Sequence, residues 1–274
     1  MAAAGLDRLD SSLVLAGAGR MGEALLRAWL DQGYDPQKIS VIEPQPSPSI
    51  AELAASRGFR LGAPSRPPDV LVLAMKPQSL DEAAAAVGTL AAVNTLVISI
   101  LAGKTMADLA ARLPNARAIA RAMPNLPAAV GRGITAVVAN PSVTPLQHQI
   151  AEALLAATGQ IEWLAEEGLI NAVTAVVGSG PAYVFYFTEC LAEAGLALGL
   201  PQDVAERLAR ATVEGAGELL FRSPETPAEL RENVTSRGGT TAAALEILMA
   251  PDGLAPLMRR AAEAAKRRAE ALSG

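Results

Sequence analysis

One strand–turn–helix signature near the N-terminus constrains the fold of this chain more than any other feature. From Leu13 to Leu25 an apolar strand runs into a turn with Gly17, Gly19 and Gly22, and a helix follows. At this spacing the first glycine permits a tight turn, the second lets the backbone approach a pyrophosphate, and the third lets the helix pack closely on its strand. Unpaired N–H groups and the helix dipole favour an anion at that helix start. The segment therefore predicts a dinucleotide site; an ordinary tight turn is the alternative.

A second predicted strand, Ile39–Glu43, follows at the spacing of one strand–helix–strand unit and ends in an acid. Glu43 falls where a carboxylate would accept the adenosine ribose hydroxyls. Such a carboxylate repels a 2′-phosphate, and no Arg or Lys follows it in residues 44–48. This pattern predicts a preference for NADH over NADPH. The alternative is that Glu43 points to solvent, with Arg20 and Arg66 available for a phosphate.

The 274 residues are enough for two domains of ordinary size. The pattern of apolar residues differs between the first and the second part of the chain. Apolar runs such as the one from Asp69 to its stop at Pro77 are typical of strands buried on both faces, and they alternate with Ala-rich helical stretches. Beyond Trp163 the apolar spacing becomes helical. We predict an α/β plus all-α fold, with a Rossmann-type, doubly wound, mostly parallel sheet in residues 11–164 and a helical domain in residues 165–274.

The second predicted domain contains a long apolar stretch. Residues 169–188 carry no charge and reach the length of a membrane span, but Gly178 and Pro181 interrupt them. We therefore predict two buried helix pieces, with Cys190 in the core, and no contact with a membrane. The helices predicted in this domain are Leu169–Val177, Ala182–Leu198, Pro201–Leu220, Pro227–Thr235, Thr240–Met249 and one after Asp252.

Charge and residue usage exclude several classes of function. The formal net charge of −5 opposes a nucleic-acid partner, because phosphate neutralisation needs clustered Lys and Arg. A single cysteine excludes an internal disulfide framework, and with a single histidine, His148, it argues against a His- or Cys-based metal site. We expect a cytoplasmic protein without a metal, and His148 as a surface residue at a helix start.

The segment Ser236–Thr241 forms a second predicted anion site. One helix ends before it, Gly238 and Gly239 make a turn, and a threonine-capped helix begins. Bare N–H groups and hydroxyls at that helix start could hold a small carboxylate, while Arg237 adds charge; an ordinary helix-to-helix turn is the alternative. A dinucleotide site, a carboxylate site and no evident protein base together suggest hydride transfer. An already protonated imine needs no acid from the protein.

Six segments between about Leu13 and Ala271 together match the pattern of one known family. They are Gly17–Gly22, Ala74–Gln78, Ser99–Gly103, Arg121–Pro127, Gly178–Tyr183 and Val234–Thr241. On these segments the chain resembles the pyrroline-5-carboxylate reductase family. The resemblance implies a helical dimerisation domain that interleaves with its partner, an active site shared between subunits, and dimers that often assemble further into a decamer of five dimers. It also implies reduction of the cyclic imine of 1-pyrroline-5-carboxylate to L-proline with NADPH or NADH.

The resemblance also assigns site residues in this sequence. Thr241 would hydrogen-bond the ring nitrogen and is the first candidate for a catalytic hydroxyl. Lys76 would make a polar contact near the nicotinamide ribose, or would be a strand-end lysine that extends to solvent. The substrate-binding set is Ser236, Gly238, Gly239, Thr240 and Thr241. The cofactor-binding set is Gly17, Ala18, Gly19, Arg20, Met21, Gly22, Glu43, Ala74, Met75, Lys76, Pro77, Ala102, Gly103, Met123, Pro124 and Asn125.

Two departures from the family pattern leave alternatives open. Arg237 stands where proline is usual, and Leu126 where threonine is commoner. Proline would stiffen the carboxylate turn, so the sequence also allows an imine reductase for a six-membered piperideine carboxylate. A β-hydroxyacid dehydrogenase would need a lysine in the helical domain, and residues 165–257 contain none. A non-catalytic protein that senses a dinucleotide is the remaining alternative.

Overall fold

The computed structural model describes residues 5–272 of the chain. Within these residues one sheet has eight strands in the order β3-β2-β1-β4-β5-β6-β7-β8. All neighbouring strands are parallel except β6 and β7. The strands are β1 (Leu13–Ala16), β2 (Ile39–Ile42), β3 (Arg60–Leu61), β4 (Val70–Leu73), β5 (Leu96–Ser99), β6 (Ala118–Met123), β7 (Gly133–Ala139) and β8 (Gly159–Trp163).

Five helices of this first part connect the strands. They are α1 (Arg20–Asp31), α2 (Pro48–Arg57), α3 (Leu80–Val87), α4 (Met106–Arg112) and α5 (Pro145–Ala156). Helix α1 buries Leu25, Leu26 and Trp29 against the sheet, and the Trp29 indole N–H donates to the Leu154 carbonyl 2.7 Å away. Every residue of β1 and β4 is buried, as the continuous apolar runs predict. The mostly parallel, doubly wound sheet is confirmed.

The rest of the chain is helical. The helices are α6 (Ile170–Val173), α7 (Gly180–Ala197), α8 (Gln202–Arg222), α9 (Pro227–Asn233), α10 (Thr240–Leu248) and α11 (Leu254–Leu272). The described residues form two compact units: one runs through Gly178 and takes in α11 from Ala265, and the other is Ser179–Ala264. The domain boundary predicted at 164/165 stays a prediction.

The apolar stretch around Gly178 does not have the burial that its sequence predicts. A π-helical turn at Thr174–Gly178 joins α6 to α7, which is the local widening that a helix uses to absorb a kink. By length and composition Glu167–Ala197 is apolar enough to cross a membrane, and only 11% of its apolar window is buried. Helix α7 has no buried residue and Cys190 is exposed. The first predicted piece buries Ile170 and Ala175. The prediction that the second piece is buried, with Cys190 in the core, is wrong for the single chain.

The helical unit Ser179–Ala264 has few buried side chains of its own. Helices α7 and α8 form an antiparallel pair, and Gly195 lets them approach, because a Cβ there would lie 3.2 Å from the Ala205 side chain. Large apolar side chains such as Phe185, Tyr186 and Ile247 remain exposed. Such a surface is far more apolar than a monomer normally presents to water, and it indicates an interface.

Candidate functional site

The first predicted glycine turn has the geometry of a dinucleotide cradle. Gly17 has φ +96°, and a Cβ added to it would overlap the backbone of Met75. At Gly22 a Cβ would overlap the carbonyl oxygen of Gly17, so glycine is what lets α1 start against the strand. Gly19 has the extended backbone of an N-cap, and a Cβ there would meet no atom within 4 Å. The open side of the turn is therefore at Gly19, above the first N–H groups of α1.

Glu43 is held against this turn. Its Oε2 accepts the backbone N–H of Ala18 at 2.9 Å, and its Oε1 accepts the N–H of Gln45 at 3.3 Å. The side chain is half-buried. The carboxylate is thus fixed at the end of β2 beside the glycine turn, and the alternative in which it points freely to solvent is wrong.

The ends of β1, β2 and β4 bring other predicted residues to the same place. The Gly17 N–H donates to the Ile42 carbonyl at 2.9 Å, and the Ala74 N–H donates to the Ala16 carbonyl at 2.7 Å. The strand pairing therefore continues into both loops. Met75 touches Gly17, and the exposed Lys76 precedes the short 3₁₀ turn Pro77–Ser79. Ligands of parallel α/β sheets bind at this carboxyl edge, particularly where the strand order reverses, as it does here between β1 and β4.

The loop between β5 and α4 contains Ala102 and Gly103. Ala102 is exposed, whereas Gly103 has φ +72° and a Cβ there would lie 2.8 Å from the carbonyl oxygen of Leu272. Gly103 thus permits the end of α11 to lie against the loop. The loop follows Ser99, at the same sheet edge as the glycine turn.

A cavity of about 510 Å³ adjoins the glycine turn. The first turns of α1 form one wall, with Arg20 and Met21. The end of β6 and the segment after it form the other wall, with Met123, Pro124 and Asn125. The structure therefore brings together two segments of the predicted cofactor-binding set. Leu126, the second departure from the family pattern, lies on this wall as well.

The same cavity has a charged wall that the sequence did not predict. Glu23 accepts hydrogen bonds from Arg27 at 2.7 Å and from the Ser49 hydroxyl at 2.8 Å. These two hydrogen bonds hold the pKa of Glu23 below its usual value, and the bond from the Ser49 hydroxyl has the larger effect. The spacing of Glu23 and Arg27 at i, i+4 is the signal in the sequence, but Ser49 comes from α2 and has no local signature.

The second predicted site lies in the helical unit. The Gly239 N–H donates to the Ser236 carbonyl at 3.0 Å, and Gly238 has φ +69°, so residues 236–239 form a tight turn with Arg237 exposed at its second position. Gly239 caps α10, and a Cβ there would overlap the Ser236 hydroxyl. The first intrahelical bond runs from Ala243 to Gly239.

The arrangement leaves several donors at one point of this turn. The N–H groups of Thr240, Thr241 and Ala242 precede that first bond and have no intrahelical acceptor. The Ser236 hydroxyl lies beside Gly239 at the same helix start. Within the described part of the chain no hydrogen-bond acceptor is shown for the hydroxyls of Thr240 and Thr241. This geometry suits a small carboxylate.

His148 lies away from the glycine turn that follows β1. It is in the first turn of α5, half-exposed, with its ring stacked on Trp163 at a centroid separation of 3.7 Å. Trp163 belongs to β8, the edge strand, and four strands separate it from β1. Among the residues that the structure describes, no group of three or more His, Cys, Asp or Glu side chains is placed to hold a metal ion.

Comparison with known proteins assigns the chain to a family. Residues 167–272 match the family model described as pyrroline-5-carboxylate reductase dimerisation, and residues 12–103 match the one described as NADP oxidoreductase, coenzyme F420-dependent. A pyrroline-5-carboxylate reductase of Synechocystis sp. is 40% identical over 245 residues, which are 88% of this chain and 90% of the relative. The chain belongs to the pyrroline-5-carboxylate reductase family. The resemblance carried by its motifs is therefore confirmed.

Solved pyrroline-5-carboxylate reductases have the same fold as this chain. The structure of the enzyme from Coxiella burnetii is similar over 97% of this chain and 100% of that chain, with 33% identity and a TM-score of 0.89. The pyrroline carboxylate reductase of Plasmodium falciparum, solved with NADP bound, covers 97% and 99% of the two chains with 25% identity and a TM-score of 0.78. The predicted fold class, a Rossmann-type sheet followed by a helical dimerisation domain, is confirmed.

The first site fits a nicotinamide dinucleotide. Gly19 leaves space for a pyrophosphate at the start of α1, and the residues after it supply free N–H groups. Glu43 offers a fixed carboxylate at the position where a ribose lies in this fold.

Proposed function

We propose that this protein reduces the C=N bond of 1-pyrroline-5-carboxylate to give L-proline, the last step of proline biosynthesis, with a nicotinamide dinucleotide as the reductant. Membership of the pyrroline-5-carboxylate reductase family over nearly nine-tenths of the chain carries this proposal. The reduced nicotinamide supplies hydride to the imine carbon when it is bound. If the imine arrives protonated, the protein has to orient it, stabilise its charge and keep water out of the site.

The cofactor side of the proposed site is built from the sheet edge. Gly19 and the N–H groups of Arg20 and Met21 hold the pyrophosphate, and Glu43 holds the adenosine ribose. The nicotinamide end lies against the loops after the strands. The residues proposed there are Ala74, Met75, Lys76, Pro77, Ala102, Gly103, Met123, Pro124 and Asn125.

The substrate side of the proposed site is the turn before α10. The N–H groups at the start of α10 and the hydroxyls of Ser236 and Thr240 bind the carboxylate. Thr241 hydrogen-bonds the ring nitrogen and orients the imine. The open donors and the glycine backbone of this turn support these roles.

The apolar faces of α7 and α8 support a homodimer. A groove of about 450 Å³ between these helices is lined by apolar side chains such as Phe185 and Val213 and by charged ones such as Glu206 and Arg210. In a cytoplasmic protein a second copy of the chain covers such faces, so we propose a homodimer that assembles further into a decamer of five dimers. We expect neither nucleic acid nor a membrane as a partner.

NADH is the proposed preferred cofactor. The support for this is that Glu43 is held beside the glycine turn by the Ala18 N–H, because a carboxylate that binds the adenosine ribose repels a 2′-phosphate. In Glu43→Ala the ratio of kcat/KM for NADH to that for NADPH is expected to fall about tenfold or more, since a hydrogen bond to a charged group contributes about 1.5–3 kcal/mol. Steady-state kinetics with each cofactor measures the ratio. Glu52→Ala removes an exposed acid from α2 and is expected to leave the ratio unchanged. An unchanged ratio in Glu43→Ala would exclude this role.

Arg237→Pro is expected to improve the substrate turn. Proline fixes φ near the value that the second position of such a turn requires, which stabilises a fold by about 0.4–1 kcal/mol. We expect a higher Tm and a KM for 1-pyrroline-5-carboxylate that falls about two- to fivefold. Arg237→Ala removes the guanidinium without the ring and so separates charge from stiffness. A lower Tm with an unchanged KM would show that the turn needs no stiffening.

Steady-state oxidation of NADH and NADPH tests the proposed function directly. The acceptors are 1-pyrroline-5-carboxylate and its six-membered homologue, and proline is quantified as the product. Turnover of the five-membered ring is expected. Faster turnover of the six-membered ring would favour a piperideine carboxylate reductase with Arg237 as the distinguishing residue, and tight cofactor binding without turnover of either ring would favour a sensor.

A further inference from the structure

A charged side chain is buried at the sheet edge that the proposed dinucleotide site occupies. Arg121, in β6, is 4% exposed, and it is the one charged residue among the buried residues that the structure describes. Its Nη1 donates to Oε1 of Glu167 at 2.9 Å. Glu167 begins the helical turn that leads into α6. A buried guanidinium is tolerated only with a partner, so the Glu167 carboxylate is required where it is.

The same carboxylate oxygen holds the start of α4. Glu167 Oε1 accepts the backbone N–H of Met106, the first residue of that helix, at 2.8 Å. A capping box between Thr105 and Asp108 satisfies the N–H groups of those two residues but not that of Met106. The carboxylate therefore lies between two positive centres, the guanidinium and the helix N-terminus. Without it these two would repel each other.

The sheet register relates this ion pair to the proposed dinucleotide site. Arg121 pairs with Ser99, the last residue of β5, which in turn pairs with Leu73, the last residue of β4. Leu73 pairs with Ala16, which immediately precedes the glycine turn. One row across the sheet thus contains Arg121 and the residues from which the proposed cofactor loops start.

The loop from Ile100 to Thr105 is held at both of its ends. At its N-terminal end, directly after Ser99, the Ile100 N–H donates to the Leu73 carbonyl at 3.0 Å. At its C-terminal end the loop continues into Met106, whose N–H donates to the Glu167 carboxylate. This loop contains Ala102 and Gly103. The Arg121–Glu167 pair is thus one of the contacts that hold the loop in which these two residues lie.

We propose that Arg121 and Glu167 are positioning residues for the dinucleotide, which act by fixing the loop 100–105 through the N–H of Met106. The inference rests on the proposed function. Neither side chain is placed against the reacting atoms. A pair that contributes stability alone is replaceable by apolar side chains of similar volume with little loss, whereas a pair that positions the loop is not.

Three variants of the full-length protein separate these roles: Arg121→Met, Glu167→Met and the double variant. Thermal unfolding gives Tm, and the fluorescence of NADH on titration gives its Kd. Each single variant leaves a charge or a donor unpaired, so we expect Tm to fall by at least about 5 °C and Kd to rise. In the double variant no charge is left without its partner, so most of Tm is expected to return. Kd is expected to stay at least about fivefold higher, because the Met106 N–H has still lost its acceptor, which also keeps Tm slightly below the original value.

Two further variants make the comparison sharper. Glu167→Gln keeps an amide oxygen for the Met106 N–H and is expected to retain more NADH affinity than Glu167→Met. Arg112→Met removes a partly exposed guanidinium from the other end of α4, where it pairs with Asp81, and is expected to leave Kd unchanged within about twofold.

Each outcome decides the inference. A double variant that recovers both Tm and Kd would assign the pair a purely structural role and overturn the proposal. Single variants with an unchanged Kd would overturn it as well. If the unmodified protein binds neither NADH nor NADPH, the proposed function fails, and this result is distinct from the other two because it needs no variant.

Discussion

Gly19→Ala is expected to weaken NADH binding at least about tenfold while the folded protein loses no stability. The backbone at Gly19 is extended, with φ −68°, and a Cβ there meets no atom within 4 Å. Alanine at a compatible position stabilises a fold by about 0.4–1 kcal/mol, because it restricts the unfolded chain. The methyl group would, however, stand where the backbone must approach the pyrophosphate. Isothermal titration with NADH and thermal unfolding of the same sample measure the two effects.

Gly17→Ala, in the same turn, is expected to have the opposite effect on stability. At φ +96° an alanine is strained, and its Cβ would overlap the backbone of Met75, so we expect the free energy of unfolding to fall by about 2–5 kcal/mol. This contrast separates a glycine needed for folding from one needed for the ligand. A Gly19→Ala variant that binds NADH normally would show that the pyrophosphate does not lie at the start of α1.

The main parts of the fold were predictable because their signals are local. The strands β1 and β4 are continuous apolar runs, and every residue in them is buried. The predicted helices of the C-terminal part agree with α7 to α11 within a few residues at each end. β3 was not predictable, because it has two residues, both exposed, and it forms only by pairing with β2.

Burial in the helical part was not predictable from hydrophobicity. An apolar residue on a helix indicates that something covers it, but the sequence does not say whether this is the same chain or another. Phe185 is 54% exposed and Ile247 is 74% exposed in the single chain. Residues 167–272 match the family model described as pyrroline-5-carboxylate reductase dimerisation, so contact with a partner subunit accounts for these apolar faces.

The two candidate sites differ in what the sequence could show. Gly17, Gly19 and Gly22 predicted the first turn because each glycine has a distinct steric reason that depends on local spacing. Arg121 begins one of the segments that match the family, but no local pattern pairs it with Glu167, which is 46 residues away. Contacts of this kind depend on tertiary structure, so the sequence could not predict them.

Thr241→Val is expected to reduce kcat/KM for 1-pyrroline-5-carboxylate by about 10- to 150-fold, which corresponds to the loss of one hydrogen bond to a charged group, about 1.5–3 kcal/mol. Thr241 is half-buried in the first turn of α10, beside the turn proposed to bind the carboxylate. Valine nearly preserves its shape, so the substitution removes the hydroxyl and little else. Because Thr241 is not one of the proposed cofactor-binding residues, Kd for NADH is expected to be unchanged.

Thr241→Ser completes the argument, since it restores a hydroxyl at the same position. We expect Thr241→Ser to recover most of kcat/KM, because the proposed role needs the hydroxyl and not the methyl group. If the hydroxyl acts only in substrate binding, Thr241→Val raises KM with kcat unchanged; if it acts in the transition state, kcat falls as well. Unchanged turnover in Thr241→Val would remove Thr241 from the mechanism and leave the backbone N–H groups of α10 as the groups that orient the imine.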